Sequence, residues 1–204
     1  MQIQPIFNNF LATEFLDIDN NALSIYCKEK YKEQQELNPS LSCFLDCSAA
    51  ETKPLIDAIN QALGFLHRDL GFIKEARQEI TGAWVNVNNN PLIDGAHSHG
   101  GSFFSGVYYV KSDQNSGCIN FLNPNREAVS TFLPWMTVAP NSFNGSKIRH
   151  APNPGKLLIF PSWLIHYVER NPSDSDRISI AFNTKIAMPD EISNRYIYGW
   201  KAVS

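Results

Sequence analysis

The chain is short of histidine, cysteine and basic residues, and it contains no long unbroken apolar run. Each shortage excludes something. Seventeen Lys and Arg against 20 Asp and Glu leave a formal net charge of −3, so no bulk positive field exists to gather phosphate backbones, and nucleic acid is not expected as a partner. The longest apolar stretch, Lys156–Val168, is broken by Pro161 and His166 and falls short of the roughly 20 residues a membrane helix needs. The first residues, Met1–Asn8, lack the basic start of a secretion signal, and the expected address is cytoplasmic. With four cysteines and no such signal, free thiols are expected rather than a disulfide framework. Cys43-x3-Cys47 has the form of half a zinc site, but no second Cys or His pair lies near it in sequence, and the pair reads as structural.

What is present is the composition of one folded domain. The chain has 204 residues, 43% hydrophobic and 12% aromatic, with only 18% charged; that length suits a single core. Residues 1–79 read as a helical support, 80–187 as a strand-rich core and 188–204 as an extension. Asp17–Leu37 has a polar start, apolar positions at Leu23, Tyr26 and Tyr31, and a stop at Asn38-Pro39. Ser48-x-x-Glu51 has the form of a capping box. Leu55, Ile56, Ile59, Leu63, Leu66 and Leu70 then recur at three and four, predicting a second amphipathic helix that ends near Gly71. His67, between Leu66 and Arg68, reads as solvent-facing or capping.

From Ile80 the period changes to two. Strands are predicted at Thr81–Asn88, Ser102–Lys111, Cys118–Leu122, Thr131–Val138, Lys156–Phe160, Ile165–Arg170 and Arg177–Ile186, separated by clusters of Gly, Asn, Pro, Ser and Asp. With no helices between them, they suggest an antiparallel barrel or jelly roll, mainly β, with the N-terminal amphipathic helices packed on one sheet.

Three of the five histidines fall in this half: His97, His99 and His166. Residues i and i+2 of an extended segment share a face, so His97 and His99 can present two imidazoles to one point, with His166 completing a triad from a neighbouring strand. Three protein ligands leave positions open, as a catalytic metal requires. The competing reading is two loop histidines beside Gly-Gly and a third packed at a strand end. Arg177 and Ser179 follow His166 across a polar turn, and in a returning hairpin both face the same way. An inward Arg implies an anion, and Arg with a hydroxyl suits a carboxylate. The competing reading pairs Arg177 with Asp174, Asp176 or Glu169 at the surface.

Together these residues resemble one family. His97-x-His99…His166…Arg177-x-Ser179, with Ser105-Gly-Val-Tyr-Tyr-Val110 and Phe160-Pro-Ser-Trp-Leu-Ile-His166 between, is similar to the Fe(II)- and 2-oxoglutarate-dependent dioxygenases of the prolyl-hydroxylase type, in particular those of microbial and phage genomes. The resemblance covers about residues 82–187. It implies a double-stranded β-helix, the cupin-like jelly roll, and a hydroxylase using Fe(II), 2-oxoglutarate and dioxygen, with ascorbate as an auxiliary reductant. It implies that His97 and His166 ligate iron and that Arg177 and Ser179 hold the distal carboxylate of 2-oxoglutarate with the Tyr109 hydroxyl. Trp84, Asn86 and Asn88 alternate on the preceding strand, and Asn86 or Asn88 is expected beside the cosubstrate.

The chain departs from the usual triad at one position. His99 stands where a carboxylate is expected, so the site is three histidines unless Asp94 completes it. Two other functional classes fit part of the pattern: a three-histidine enzyme of another kind (zinc hydrolase or lyase, or cupin-type thiol dioxygenase), or a non-enzymatic jelly-roll binding module. Arg126, Trp135, Arg149, His150 and Trp163 are candidate substrate-side residues, for a prime substrate that is a protein side chain, prolyl or other, or a metabolite. The C-terminal Arg195–Val203 can add an edge strand or pair with a second copy in a homo-oligomer.

Overall fold

The computed structural model describes residues 9–88, 95–125, 139, 141, 143–190 and 192–193. In chain order its elements are β1 (Ala12–Phe15), α1 (Asn20–Leu37), β2 (Cys43–Phe44), α2 (Lys53–Asp69), β3 (Arg77–Asn88), β4 (Phe104–Lys111), β5 (Ile119–Leu122), β6 (Lys147–His150), β7 (Lys156–Pro161), β8 (His166–Val168) and β9 (Arg177–Ala187). The predicted strand at Thr131–Val138 lies outside the described residues, as do Asp94, Arg126, Trp135 and the segment from Arg195 to Val203.

Both helices form where the apolar period predicts them. Asp19 caps α1, its Oδ1 accepting from the N–H groups of Asn21 and Ala22 at 3.0 and 3.2 Å. Pro39 forces Asn38 into extended backbone and ends the helix there. In α2 the capping-box expectation is corrected. Thr52, not Ser48, is the N-cap residue and Pro54 sits in the first turn, while the Ser48 hydroxyl and N–H are spent on Asp46 in the preceding turn. His67 is also corrected: it is buried, four residues beyond Leu63 on the apolar face, stacked on Phe72 and donating from Nε2 to the Ile73 carbonyl.

All strand pairs are antiparallel. A six-stranded sheet runs β1-β7-β4-β9-β3-β2, and a three-stranded sheet runs β6-β5-β8. The 1–79 stretch is therefore not helical throughout, because β1 pairs with β7 and β2 with β3 at the two edges of the large sheet.

Alternation divides each central strand of the large sheet between two environments. Phe104, Tyr108 and Val110 of β4, Leu157 and Ile159 of β7, and Ile178, Ile180 and Phe182 of β9 form one core with Leu55, Ile59 and Leu63 of α2 and Leu23 of α1. Val107, Tyr109, Leu158 and Phe160 point the other way, into a second core with Ile119 and Phe121 of the small sheet. Gly106 permits the close approach of β9: a Cβ there would lie 2.3 Å from the Phe182 ring and 2.9 Å from the Leu158 carbonyl. The layer order is thus helices, large sheet, small sheet, and the space between the sheets is where polar residues enter an otherwise apolar interior.

Candidate active site

The three histidines converge there. His97 and His166 exchange both backbone hydrogen bonds, at 3.0 and 2.9 Å, in an antiparallel bridge that continues the small sheet. The His99 N–H donates to the Ser162 carbonyl at 2.8 Å. One ring nitrogen from each histidine lies within 4.8 Å of the others, and this is the one such group of metal-ligating side chains among the described residues. The Cys43–Cys47 pair forms no such group, and all four cysteines are free thiols.

Hydrogen bonds assign the tautomers. His97 Nδ1 lies 2.7 Å from the Gly95 carbonyl and His166 Nδ1 lies 2.9 Å from the Leu164 carbonyl. A carbonyl only accepts, so each Nδ1 carries the proton and each Nε2 keeps its lone pair for a ligand. Burial pushes the pKa of His166 down to about 4, and burial with the neighbouring His97 lowers that of His99. Both imidazoles are therefore held neutral, the form that binds metal. Three imidazole nitrogen donors on one side of a point, two of the rings fixed by carbonyls, fit a divalent iron with open positions.

One turn supports two of the three ligands. The β7–β8 connection, Ser162 to Ile165, offers its Ser162 carbonyl to His99 and its Leu164 carbonyl to His166. Buried hydroxyls hold that turn: Ser105 Oγ of β4 lies 2.9 Å from Ser162 Oγ and donates to Asn183 Oδ1 of β9 at 2.7 Å. No residue-type signal marks these carbonyls; the Pro-Ser-Trp-Leu run that precedes His166 is their only trace in the sequence.

A cavity of about 240 Å³ adjoins the triad, and His97, His99, His166, Trp84, Asn86, Tyr109, Arg177 and Ser179 all line it. The register explains the gathering. Ser179 of β9 is opposite Asn86 on β3 and Tyr109 on β4, so an amide and two hydroxyl-bearing residues form one row across three strands. Arg177, two residues earlier on the same face, pairs in register with Asn88. Burial raises the Tyr109 pKa, keeping the phenol protonated, while the Arg177 charge opposes that rise.

Arg177 is only 2% exposed. Its Nη1 donates to the backbone carbonyls of Ser116, Gly117 and Glu169, so loops 112–117 and 169–176 hold the guanidinium. Gly117 has φ +76°, and a Cβ there would meet the Arg170 carbonyl at 2.3 Å and Arg177 Nη1 at 3.0 Å. Asp113 ties the two loops, accepting from Ser116 Oγ and Ser175 Oγ at 3.0 and 2.7 Å. Of the surface partners considered for Arg177, Asp176 pairs with Lys28 and the Glu169 carboxylate with Arg149.

Among the candidate substrate-side residues, Arg149 points away from the cavity. Its Nε and Nη2 make 3.0 and 2.8 Å bonds to the two Glu169 oxygens. This pairing, with the Cys118 N–H and Asn120 amide, holds the Glu169 carboxyl down to about 2. Trp163 is exposed and lines a separate apolar groove with Phe10, Phe72 and Phe103. His150 is half-buried beside Phe121.

The layered fold and the histidine site together define a non-haem metal oxygenase of the jelly-roll class. Residues 82–183 match the family described as "Putative 2OG-Fe(II) oxygenase", and the chain belongs to that family of oxidoreductases, whose cofactors are Fe(II) and 2-oxoglutarate. Solved structures share the fold at low identity. A Pseudomonas putida prolyl-4-hydroxylase superposes with a TM-score of 0.59 at 13% identity, covering 87% of this chain and 88% of the other. The non-haem α-ketoglutarate-dependent epimerase SnoN of nogalamycin biosynthesis gives 0.56 at 11% over 88% and 80%. HygX from Streptomyces hygroscopicus, solved with iron bound, gives 0.52 at 10% over 86% and 82%. No curated protein matches the chain. Family membership sets aside the zinc-hydrolase and binding-module alternatives, and no described helix is long and apolar enough to cross a membrane.

Proposed function

We propose that the chain is a 2-oxoglutarate-dependent hydroxylase whose iron is held by His97, His99 and His166, and whose cosubstrate carboxylate is held by Arg177, Ser179 and Tyr109. The overall conversion is R–H plus dioxygen plus 2-oxoglutarate to R–OH, succinate and carbon dioxide, one oxygen atom entering each organic product. Ferrous iron with 2-oxoglutarate supplies the oxidation of the C–H bond. The residues of this chain supply the setting. Arg177 would offer a buried cation pre-aimed by three carbonyls, and Ser179 and Tyr109 would donate hydroxyl hydrogen bonds to the same carboxylate. Asn86 stands in register to bond its edge, with Asn88 two residues further along β3, opposite Arg177. The apolar walls Val107, Ile119 and Phe160 exclude water.

The observation that carries this reading is the meeting, in one cavity, of three convergent imidazoles with the Arg177–Ser179–Tyr109 cluster. A hydrolytic three-histidine site has no use for the latter. With no protein carboxylate among the described ligands, the loaded site is one unit more positive than a two-histidine, one-carboxylate site, which favours the cosubstrate dianion. The prime substrate is a metabolite or a protein side chain, and four free thiols suit a reducing, cytoplasmic setting. Succinate release from 2-oxoglutarate under air tests the assignment. Iron-loaded wild type should turn over slowly without prime substrate, and His166→Ala should retain neither iron nor turnover; undiminished retention and turnover in that variant would overturn it.

A further inference from the structure

The cavity opens at one edge of the large sheet. Ser42, exposed just before β2, lines it together with Trp84 of β3 and the ligands His97 and His99. Arg177 stands at the other end, opposite Asn88, four residues of extended strand or about 13 Å beyond Trp84. Alternation fixes what the mouth presents. Cys43, Leu45, Ala83 and Val85 turn toward the helices as part of the first core. Phe44 and Trp84, opposite each other in register, therefore share the face that carries the cavity.

Neither aromatic ring is packed away. The small sheet rests on Val107, Leu158 and Phe160 of β4 and β7, and toward β2 the face lies open: Phe44 is 71% exposed and Trp84 half-buried. The floor beside them is low. Ala181 of β9 is opposite Trp84, and a Cβ on Gly82 would meet the Phe44 ring at 3.9 Å, so that ring leans over the glycine. Two rings thus lead inward from solvent, Phe44 and then Trp84, whose centroid is 6.0 Å from that of His99. Charge narrows the occupant. Among the described residues no carboxylate lines the cavity, and its one permanent cation is the distant Arg177, so a charged group at this mouth finds no partner among the lining side chains.

We infer that Trp84 and Phe44 form the prime-substrate platform, and that it takes an uncharged aromatic compound: the substrate ring stacks on the two aromatic side chains and holds the C–H bond beside it at the metal. Trp84 is then a specificity-determining residue. The inference rests on the hydroxylase reading and is separable from it.

The probe is 2-naphthylmethanol, with its saturated decahydro counterpart, 2-naphthoate and 2-naphthylmethylamine as controls, titrated anaerobically by calorimetry into the protein loaded with Fe(II) and 2-oxoglutarate. The aromatic alcohol should bind saturably, about threefold or more tightly than the saturated alcohol and more tightly than either charged analogue. Trp84→Ala should weaken that binding about tenfold or more and Phe44→Ala about threefold. Trp84→Phe should recover part of the loss, and the metal-to-2-oxoglutarate absorption band should be unchanged in all three variants. No saturable binding to wild type, or equal affinity for the saturated alcohol, overturns the platform. So does undiminished binding in Trp84→Ala or, should that variant not fold, in Phe44→Ala. A band diminished alike in Trp84→Ala and Trp84→Phe overturns it too, because Trp84 would then act by positioning His99. Absence of the band in wild type overturns the hydroxylase reading itself.

Discussion

In the proposed site, Arg177 is the side chain that would hold the cosubstrate carboxylate. It is buried, and a buried guanidinium is costly unless its hydrogen bonds and charge are answered. Three carbonyls orient one nitrogen, and a planar guanidinium so held suits a carboxylate. Arg177→Lys keeps the charge and loses the planar fork, so KM for 2-oxoglutarate should rise by about tenfold, and by about a hundredfold in Arg177→Ala, with iron retained in both. Steady-state kinetics with an iron assay checks this; unchanged KM in Arg177→Ala contradicts it. Ser162 acts at the same scale through the turn it occupies. Removing its hydroxyl in Ser162→Ala leaves the His99 and His166 supports less firmly held, and Co(II) affinity should fall about tenfold with a stability loss of about 1 kcal/mol. Co(II) absorption titration and thermal melting separate the two effects.

Among elements, the small sheet and the loops beside it decide the geometry of the site. Glu169 joins β5 to β6 through Cys118, Asn120 and Arg149. Its carboxyl is lowered to about 2, so the unfolded chain binds more protons than the folded one between about pH 4.5 and 2. The stabilisation is thus complete above the unfolded value and is lost as pH falls through that window. Glu169→Gln should melt below wild type at pH 7, and the gap should close by pH 2–3; a gap independent of pH would contradict the assignment. Gly117→Ala should raise KM for 2-oxoglutarate by displacing the Arg177 seat, with Fe(II) affinity unchanged. The elements themselves were unevenly legible. The helices and the long strands carry clear 3.6 and 2 periods, whereas β1 and β2, of four and two residues, are too short to show one, and β6, also of four residues, falls between two predicted strands where no period marks it. The burial of His67 follows from Leu63 one turn before it, not from its chain neighbours Leu66 and Arg68. At the site the scarce side chains, His97, His99, His166 and Arg177, were readable from spacing and resemblance. The carbonyls of Ser116, Gly117, Ser162 and Leu164 were not, because every residue has one.

At the scale of the molecule, the metal would fasten the small sheet to the loop that leads into β4, since His166 belongs to one and His99 to the other. Binding to the folded state alone stabilises it by about 2.7 kcal/mol at a hundredfold excess over Kd, about 5–10 °C for a chain of this length. The most direct measurement is an anaerobic titration of the Fe(II)-loaded protein with 2-oxoglutarate, followed by visible absorption. A charge-transfer band that saturates at one equivalent, and that requires far more 2-oxoglutarate in Arg177→Ala, is the predicted result. Tightly bound iron with no band at any concentration would contradict the assignment of this cavity to 2-oxoglutarate.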